Sequence, residues 1–285
     1  MTHDGPLKLG RIAYLNVWPL YESLIPDFPE GPDVAYVPGH PSELNAALAS
    51  GAIDAAPASA FAYLANPGAF DLLPDLCIRA AVAPIQSVLL LSPVPLAELP
   101  EHLRRTGDPV LFSGASASSN ALTRVLWRFA WGFPEARFET VPPGTGLATG
   151  KPFVEIGDLA LMRYLDPPAG WHVTDLGQAW FDYAGTPFVF ALWIVRAGLA
   201  GSRLAALGRL HRALLSVNAG LAEALPRLVR APSRPDWIGE ADFLNYLRVV
   251  NYDLDDAAKA SFVLFAHHCR ELGLIDAVPG LRFAL

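Results

Sequence analysis

Neutral hydrogen-bonding side chains follow the carboxyl ends of several predicted strands. Asn16 follows the first predicted strand, Ser59 follows the third, and Ser118 and Ser119 follow the predicted strand at residues 110–113. In open parallel sheets, ligands bind beyond the carboxyl ends of the strands. Backbone N–H groups at helix N-termini, together with serine hydroxyls, bind carboxylates. This pattern predicts a binding site for a small anionic ligand.

Each of these side chains also fits an ordinary structural role. Ser59, Ser118 and Ser119 are of a residue type that commonly caps helix N-termini, and one serine can both cap a helix and contact a ligand. Asn16 is of a type that favours turns. Its side-chain amide also donates and accepts hydrogen bonds, which suits the orientation of a hydroxyl or a carboxylate. The spacing alone leaves both roles of Asn16 open.

Gly157 and Asp158 follow another predicted strand, at residues 153–156. Asp158 is the one candidate acid or base there, because no histidine or glutamate stands at a predicted strand end as an evident base. Asp158 also fits the role of a helix N-cap after Gly157. The sequence therefore predicts Gly157 and Asp158 as substrate-binding residues and leaves the proton acceptor undetermined.

Short apolar runs alternate with helical periodicity along most of the chain, which indicates an α/β fold. The first three predicted strands form βαβ units with parallel pairing and right-handed crossovers: 9–15, 34–37 and 53–56. Six further strands are predicted at residues 87–91, 110–113, 138–141, 153–156, 172–175 and 188–195. The chain after Gly201 is predicted to be helical, with a last helix that begins at Asp255 or Asp256 and ends at Gly273.

The two sets of βα units predict two lobes. The buried strands 87–91 and 188–195 are predicted to carry the chain from one lobe to the other and back, so that the lobes hinge and close on a ligand. The predicted lobe 1 comprises residues 1–89 and 191–285, including the C-terminal helices, and lobe 2 comprises residues 90–190.

Composition excludes several classes of protein. The 285 residues are 52% hydrophobic and 17% charged, which excludes general disorder. The formal net charge of −7 argues against a nucleic-acid partner. No apolar run is long enough to span a membrane, and residues 1–8 lack an apolar stretch of signal-peptide length, which predicts a cytoplasmic protein. Cys77 and Cys269 are expected to be reduced packing residues.

No motif predicts a cofactor or a metal. Residues 144–151 resemble a phosphate-binding loop, but Thr145 stands where the first glycine is required and Pro152 replaces the final Ser or Thr. The dinucleotide-binding pattern GxGxxG is absent from the sequence, and the two cysteines match no metal-binding spacing. We therefore expect a protein that works without cofactor or metal.

Several stretches resemble the menaquinone biosynthesis proteins of the MqnA type. They are RIAYLN at residues 11–16 with Pro19-Leu20, Ser87-Val88 with Ser92, IGDLAL at 156–161, DLGQAW at 175–180 and GTPFVFALW at 185–193. The matches lie in the family's order from residue 9 to about residue 195. Beyond residue 200 the resemblance is mainly the helical character of the chain.

This resemblance implies a two-lobed periplasmic-binding-protein-like fold of type II, with two crossover strands and a helical C-terminal tail, that works inside the cell. It implies chorismate dehydratase activity, with 3-[(1-carboxyvinyl)oxy]benzoate as the product and first intermediate of the futalosine route to menaquinone. It also implies that Asn16 is the residue most closely tied to catalysis, and it strengthens the expected substrate contacts of Ser87, Ser118 and Ser119.

Two stretches depart from the family's pattern. Where the family commonly has Ser-Ser-x-Glu-Tyr, this chain has Ser59-Ala60-Phe61-Ala62-Tyr63, so only Ser59 and Tyr63 carry over. The roles of Ala60 and Ala62 stay open. The usual Thr-Ser pair is Ser118-Ser119 here, which keeps both hydroxyls.

For such an enzyme we hypothesise that the substrate's own enolpyruvyl carboxylate takes the proton, while Asn16 holds either the leaving hydroxyl or that carboxylate. Two other functions stay open. One is a non-catalytic binding or sensor protein for a small carboxylate, and the other is the sister lyase of the same pathway that forms a dihydroxynaphthoate. That lyase would be expected to carry a histidine in the loop at 141–150, which has none. The oligomeric state is open, with a homodimer among the states allowed.

Overall fold

The computed structural model describes residues 5–285, and this part of the chain forms eleven strands and ten α-helices. The strands are β1 (Leu7–Arg11), β2 (Val34–Pro38), β3 (Ala55–Ser59), β4 (Phe70–Ala80), β5 (Val88–Ser92), β6 (Val110–Ser113), β7 (Phe138–Val141), β8 (Phe153–Ile156), β9 (His172–Asp175), β10 (Val189–Arg196) and β11 (Val250–Asp253). The helices are α1 (Trp18–Leu24), α2 (Pro41–Ser50), α3 (Ala60–Ala65), α4 (Leu99–Thr106), α5 (Ala117–Val125), α6 (Gly157–Leu165), α7 (Leu176–Ala184), α8 (Gly201–Leu228), α9 (Glu240–Val249) and α10 (Asp256–Glu271).

The chain folds into two compact units, each with its own sheet. Unit 1 contains the chain up to Ile78, Ala191–Asp255 and Pro279–Leu285. Unit 2 contains Arg79–Phe190 and Asp256–Val278. The chain therefore leaves unit 1 within β4 and returns to it within β10.

Unit 1 is built on a six-stranded sheet in the order β11-β4-β10-β3-β1-β2. β1 pairs in parallel with both β2 and β3, whereas β10 pairs antiparallel with β3. The parallel part follows from the βαβ pattern, because α2 begins at a capping box between His40 and Glu43 and ends at Gly51, whose φ is 73°. The carboxyl ends of β1 and β3 consequently lie at the same edge of the sheet.

Unit 2 is built on a five-stranded sheet in the order β7-β6-β8-β5-β9. β6 is parallel to β7 and β8, and β5 is antiparallel to β8 and β9. All five residues of β5 are buried, as expected for a central strand covered on both faces. The core on one face is formed by Leu89, Leu91, Leu111, Phe153 and Ala160.

The predicted strands of unit 2 are confirmed, whereas the first strand of unit 1 is shorter than predicted. β1 ends at Arg11, not at Leu15. The backbone N–H groups of Val17 and Trp18 both donate to the carbonyl of Tyr14, each at 3.2 Å, and close a turn before α1. Asn16 therefore lies in this turn and not directly at the strand end.

The prediction that residues 87–91 carry the chain between lobes is wrong. The connecting strand is β4, which the sequence pattern did not reveal, and β5 lies wholly in unit 2. Within β4, Pro74 and Asp75 interrupt the apolar run, and Asp75 has a φ of 62°. The prediction for the second connecting strand is confirmed, since β10 returns the chain to unit 1.

The boundaries of the units also differ from the predicted lobes. Residues 79–89 belong to unit 2, and so does α10, which was expected with lobe 1. α10 is held in unit 2 by polar and aromatic contacts: the Trp180 indole N–H donates to the Ser261 hydroxyl at 3.0 Å, and the ring centroids of Phe188 and Phe265 are 4.8 Å apart. α8, α9 and β11 stay in unit 1.

α8 is the longest helix, with 28 residues. It carries several arginines on its polar side, among them Arg203 and Arg209. In the described range of the chain, no helix combines the length and the apolar character that crossing a bilayer requires.

Candidate functional site

The predicted residues of unit 1 lie at the edge formed by the carboxyl ends of β1 and β3. Asn16 is half-buried in the turn between β1 and α1. Its backbone carbonyl accepts a hydrogen bond of 2.7 Å from the hydroxyl of Tyr252, a residue that is 2% exposed. Within residues 5–285, no protein group forms a hydrogen bond with the Asn16 side chain. The turn is therefore closed by the backbone, and the amide of Asn16 is not used to build it.

Ser59 takes the structural role that the sequence allowed. It is the last residue of β3 and the N-cap of α3, and its hydroxyl accepts a hydrogen bond from the backbone N–H of Ala62 at 3.3 Å. The Asn45 side chain accepts from the Ser59 backbone N–H at 3.3 Å. Ser59 is half-buried, so the cap leaves part of it exposed at this edge.

Ala60 and Tyr63 of the Ser59 stretch are buried, whereas Phe61 and Ala62 are half-buried. Ala60 is fully buried. The Tyr63 hydroxyl donates to the carbonyl of Gly280 at 2.8 Å and accepts from the backbone N–H of Arg282 at 3.0 Å. Tyr63 thus secures the C-terminal segment of unit 1.

The predicted residues of unit 2 gather at one edge of its sheet. β5 runs antiparallel to β8, with Val88 opposite Ile156, so the amino end of β5 lies beside the carboxyl end of β8. This register places Ser87 next to the turn that starts α6, and the Gly157 N–H donates to the Ser87 carbonyl at 2.8 Å. The N-terminus of α5 follows the carboxyl end of the neighbouring β6.

Ser118 and Ser119 do not cap α5, because the cap is Ser116. The Ser116 hydroxyl accepts from the Ser119 N–H at 3.1 Å and donates to the Ser119 hydroxyl at 2.7 Å. Ser118 and Ser119 lie inside the first turn and are 3% and 2% exposed. The structure therefore excludes the role of helix cap for Ser118 and Ser119, and their contact with a substrate stays a prediction.

Gly157 and Asp158 form the first turn of α6. Gly157 is buried and has a φ of 65°, in the left-handed region that favours glycine. Asp158 is half-buried and lies within the helix, since the residue before the helix is Ile156. The expected N-cap role of Asp158 is therefore wrong, although a carboxylate in a first turn still complements the helix dipole.

Two carboxylates near the unit 2 edge were not predicted, one buried and one half-buried. Glu155 is 2% exposed, and its Oε2 lies 3.6 Å from an Nη of Arg163. Burial raises the pKa of Glu155, and the Arg163 charge opposes that rise. The signal for Glu155 in the sequence was a glutamate next to the end of an apolar strand. Its side chain, however, pairs with Arg163 of α6.

Asp175 is the second carboxylate. It caps α7, and its two oxygens accept backbone N–H groups from Gln178 at 2.9 Å, Gln86 at 2.6 Å and Ile85 at 3.2 Å. Burial raises the pKa of Asp175, and these N–H groups oppose the rise. The cap was visible in the sequence as Asp-x-x-Gln, whereas the contacts with residues 85 and 86 had no local signal.

Unit 2 also contains a cavity of about 1030 Å³ beside β9. Its walls include the rings of Trp131, Tyr164 and Tyr183 and the carboxylates of Asp175 and Asp182. Among the described residues, no lysine, arginine or histidine lines it, and neither do the predicted site residues. This cavity does not complement a dianion.

Comparison with known proteins identifies the family. The model of a family described as "Menaquinone biosynthesis" matches residues 7–271. The chain belongs to this menaquinone biosynthesis family. The resemblance of the sequence motifs is thereby confirmed. A similar protein is the chorismate dehydratase of Thermus thermophilus, which is 33% identical over 206 residues, covering 67% of this chain and 70% of that protein.

Solved structures show the fold of this menaquinone biosynthesis family member. The periplasmic nitrate-binding protein of Synechocystis PCC 6803 matches with a TM-score of 0.68 and 18% identity, over 96% of this chain and 83% of that one. The periplasmic aliphatic sulphonate-binding protein of Escherichia coli matches with a TM-score of 0.65 and 18% identity, over 96% and 95%. The predicted periplasmic-binding-protein-like fold is confirmed.

Proposed function

We propose that this protein is a carbon–oxygen lyase that dehydrates chorismate to 3-[(1-carboxyvinyl)oxy]benzoate for menaquinone synthesis. The observation that carries the proposal is the 33% identity with a chorismate dehydratase across two thirds of this chain, within a matched menaquinone biosynthesis family. The neutral donors at the two strand edges support it, because they suit a ligand with two carboxylates and a hydroxyl.

The proposed reaction removes one ring hydrogen as a proton and the ring hydroxyl as its partner, and releases them together as water. The ring becomes aromatic, so the products are favoured without oxidant or reductant. The protein's role is to hold the substrate in the orientation that reacts and to prevent other orientations. Fixing a proton acceptor beside the ring C–H lowers the barrier by several kcal/mol, in keeping with positioned reactants elsewhere.

Unit 2 supplies the proposed carboxylate contacts. The first turn of α5 presents the buried hydroxyls of Ser118 and Ser119 together with backbone N–H groups. Ser87 and Gly157 are joined by a hydrogen bond at the neighbouring strand ends. Helix N-termini with hydroxyl donors bind anions without a full positive charge. A substrate carboxylate at this edge therefore does not have to displace the carboxylate of an existing salt bridge.

Unit 1 supplies the proposed catalytic group. The Asn16 amide forms no hydrogen bond with residues 5–285, while its backbone is held by Tyr252. We propose that this amide orients either the leaving hydroxyl or the enolpyruvyl carboxylate. Ser59 is proposed as a further substrate contact at the same edge.

The proposed proton acceptor is the substrate's own enolpyruvyl carboxylate. Two carboxylates of unit 2 are already engaged, Glu155 with Arg163 and Asp175 with three backbone N–H groups. Asp158 is the one acid or base that the sequence predicted. Asp158→Asn is expected to keep most of the turnover and to weaken substrate binding only modestly. A loss of turnover of about a thousandfold with unchanged binding would make Asp158 the base.

The test of the proposed activity is direct. Purified protein is incubated with chorismate, and the benzoate product is followed by chromatography and mass spectrometry. Formation of 3-[(1-carboxyvinyl)oxy]benzoate supports the proposal. Chorismate binding without turnover would favour a sensor, and the absence of both would favour the sister lyase.

The cytoplasmic location predicted from the sequence belongs to this proposal, and its support is the biosynthetic family. The proposed partner is a small dianionic substrate, with neither nucleic acid nor membrane involved. The number of subunits, with a homodimer among the options, is measured by sedimentation of the purified protein.

A further inference from the structure

The half-buried carboxylate of Asp175 connects three separate parts of unit 2. Its Oδ1 accepts the N–H of Gln178 at 2.9 Å, in the first turn of α7, and the N–H of Ile85 at 3.2 Å. Its Oδ2 accepts the N–H of Gln86 at 2.6 Å. One side chain therefore fixes both the start of α7 and the segment that leads into β5.

A helix cap alone does not require this arrangement. Serine, threonine or asparagine supplies the single acceptor that caps a helix. The two oxygens of Asp175 additionally satisfy two N–H groups of residues that are about ninety positions away in sequence. Burying a carboxylate is costly unless it is hydrogen-bonded, and these contacts provide that compensation.

The segment that Asp175 holds has an unusual backbone. Gln86 has a φ of 68°, which is uncommon for a residue other than glycine. A Cβ added to Gly177 would lie 3.1 Å from Oδ1 of Asp175 and 3.1 Å from Ile85, so the first turn of α7 packs tightly against this segment. Such a conformation persists where the surroundings determine it.

Ser87 comes directly after this segment. It is 2% exposed, and its carbonyl accepts the Gly157 N–H at 2.8 Å. A continuous series of contacts thus runs from Asp175 through Gln86 and Ser87 to Gly157, the first residue of α6. A shift of residues 85 and 86 would displace both Ser87 and the start of α6.

We propose that Asp175 is a positioning residue, which fixes Ser87 and Gly157 in the orientation that binds a carboxylate of the substrate. This inference deepens the proposed function and rests on it for the identity of the substrate. Asp175 does not itself contact the substrate in this proposal, because its oxygens already accept backbone N–H groups.

The test separates positioning from capping. Asp175→Ser keeps an acceptor for the N-terminus of α7 but cannot reach Ile85 and Gln86. Hydrogen exchange of the Gly157 amide is the decisive measurement, because Gly157 belongs to α6 and its N–H donates to Ser87, so the loss of the α7 cap alone would not affect it. We expect this amide to exchange at least about tenfold faster in Asp175→Ser, and the KM for chorismate to rise about tenfold while kcat changes less.

The matched control is Glu43→Ala. Glu43 also holds a backbone N–H at a helix N-terminus, that of His40 at 2.9 Å, but it does so in α2 of unit 1. This variant is expected to leave Gly157 exchange and KM unchanged. If Asp175→Ser does not fold, Asp175→Asn is used, since its amide caps α7 with one oxygen and opposes the Gln86 N–H with its NH₂ group.

The outcomes decide the proposal. Unchanged Gly157 exchange in a folded Asp175 variant overturns it, and so does faster exchange with an unchanged KM. If the wild-type protein does not turn over chorismate, the proposed function fails. The exchange measurement then still decides whether Asp175 fixes Ser87 and Gly157.

Discussion

The two strand edges that carry the predicted site residues are built differently. In unit 2 the polar groups are held by one another: Ser116 bonds to Ser119, Ser87 bonds to Gly157, and Asp175 secures the segment before Ser87. In unit 1, Asn16 stands in a turn that is closed by backbone bonds, and its amide bonds to none of the residues 5–285.

This difference predicts separate roles for the two edges, substrate binding in unit 2 and catalysis at Asn16. A prearranged set of donors binds a charged group at low cost in entropy, which suits recognition of a carboxylate. An amide that is held only through its backbone can exchange partners as a reaction proceeds. We therefore expect substitutions in unit 2 to alter affinity and substitutions near Asn16 to alter rate.

The largest effect is expected for Asn16→Ala. Loss of a single positioned donor that acts in the transition state costs about 10²- to 10³-fold in kcat in other enzymes, and we expect a fall in this range. Steady-state kinetics with chorismate measures it. A fall of less than threefold would remove Asn16 from the catalytic role.

A smaller effect, on affinity, is expected for Gly157→Ala. Alanine at a φ of 65° costs about 1–2 kcal/mol of stability, and the strain displaces the N–H that bonds to Ser87. We expect about tenfold weaker chorismate binding by calorimetry. Gly150→Ala is the matched control, because Gly150 has a φ of 72° and nothing within 4 Å of an added Cβ. Equal losses of affinity in both variants would contradict a role for Gly157 in binding.

A modest effect on rate is expected for Tyr252→Phe. This change removes the hydroxyl that bonds to the Asn16 carbonyl at 2.7 Å, and a net hydrogen bond of about 1 kcal/mol corresponds to about fivefold in kcat. Tyr36→Phe removes a similar bond of 2.7 Å to the Phe28 carbonyl. We expect Tyr36→Phe to keep the wild-type kcat. Equal rates in the two variants would show that the turn of Asn16 does not depend on Tyr252.

The smallest effect is expected from thiol reagents. Each unit holds one fully buried cysteine, Cys77 in unit 1 and Cys269 in unit 2. Burial raises the pKa of Cys269 to about 12, so very little of this thiol is ionised at pH 8. Both cysteines should resist Ellman's reagent until the unit that holds them opens. Rapid labelling of either one at pH 8 in native protein would contradict this burial.

Much of unit 2 could be predicted from the sequence, because its strands are short apolar runs bounded by polar or turn-forming residues. β4 was missed since Pro74 and Asp75 break its pattern, and the lobe boundaries were misplaced as a consequence. Ser116 was missed as a cap because several hydroxyl residues compete for that position between Gly114 and Ser119.

The contacts of Asp175 show a different limit. Its role as a cap is local and visible in the sequence, whereas its bonds to Ile85 and Gln86 join residues far apart in the chain. No periodicity or spacing encodes such a pairing, because it arises only when β5 and β9 pair in the sheet.

The dissociation constant of chorismate for the Asn16→Ala variant is the most direct test of the claim that unit 2 sets the affinity and Asn16 sets the rate. This variant is expected to be slow enough for binding to be measured with the substrate itself, by calorimetry. We predict that this dissociation constant lies within about threefold of the dissociation constant of chorismate for the wild-type protein, measured by rapid mixing. A dissociation constant weakened as much as kcat is lowered would contradict the account, because Asn16 would then be a binding residue like those of unit 2.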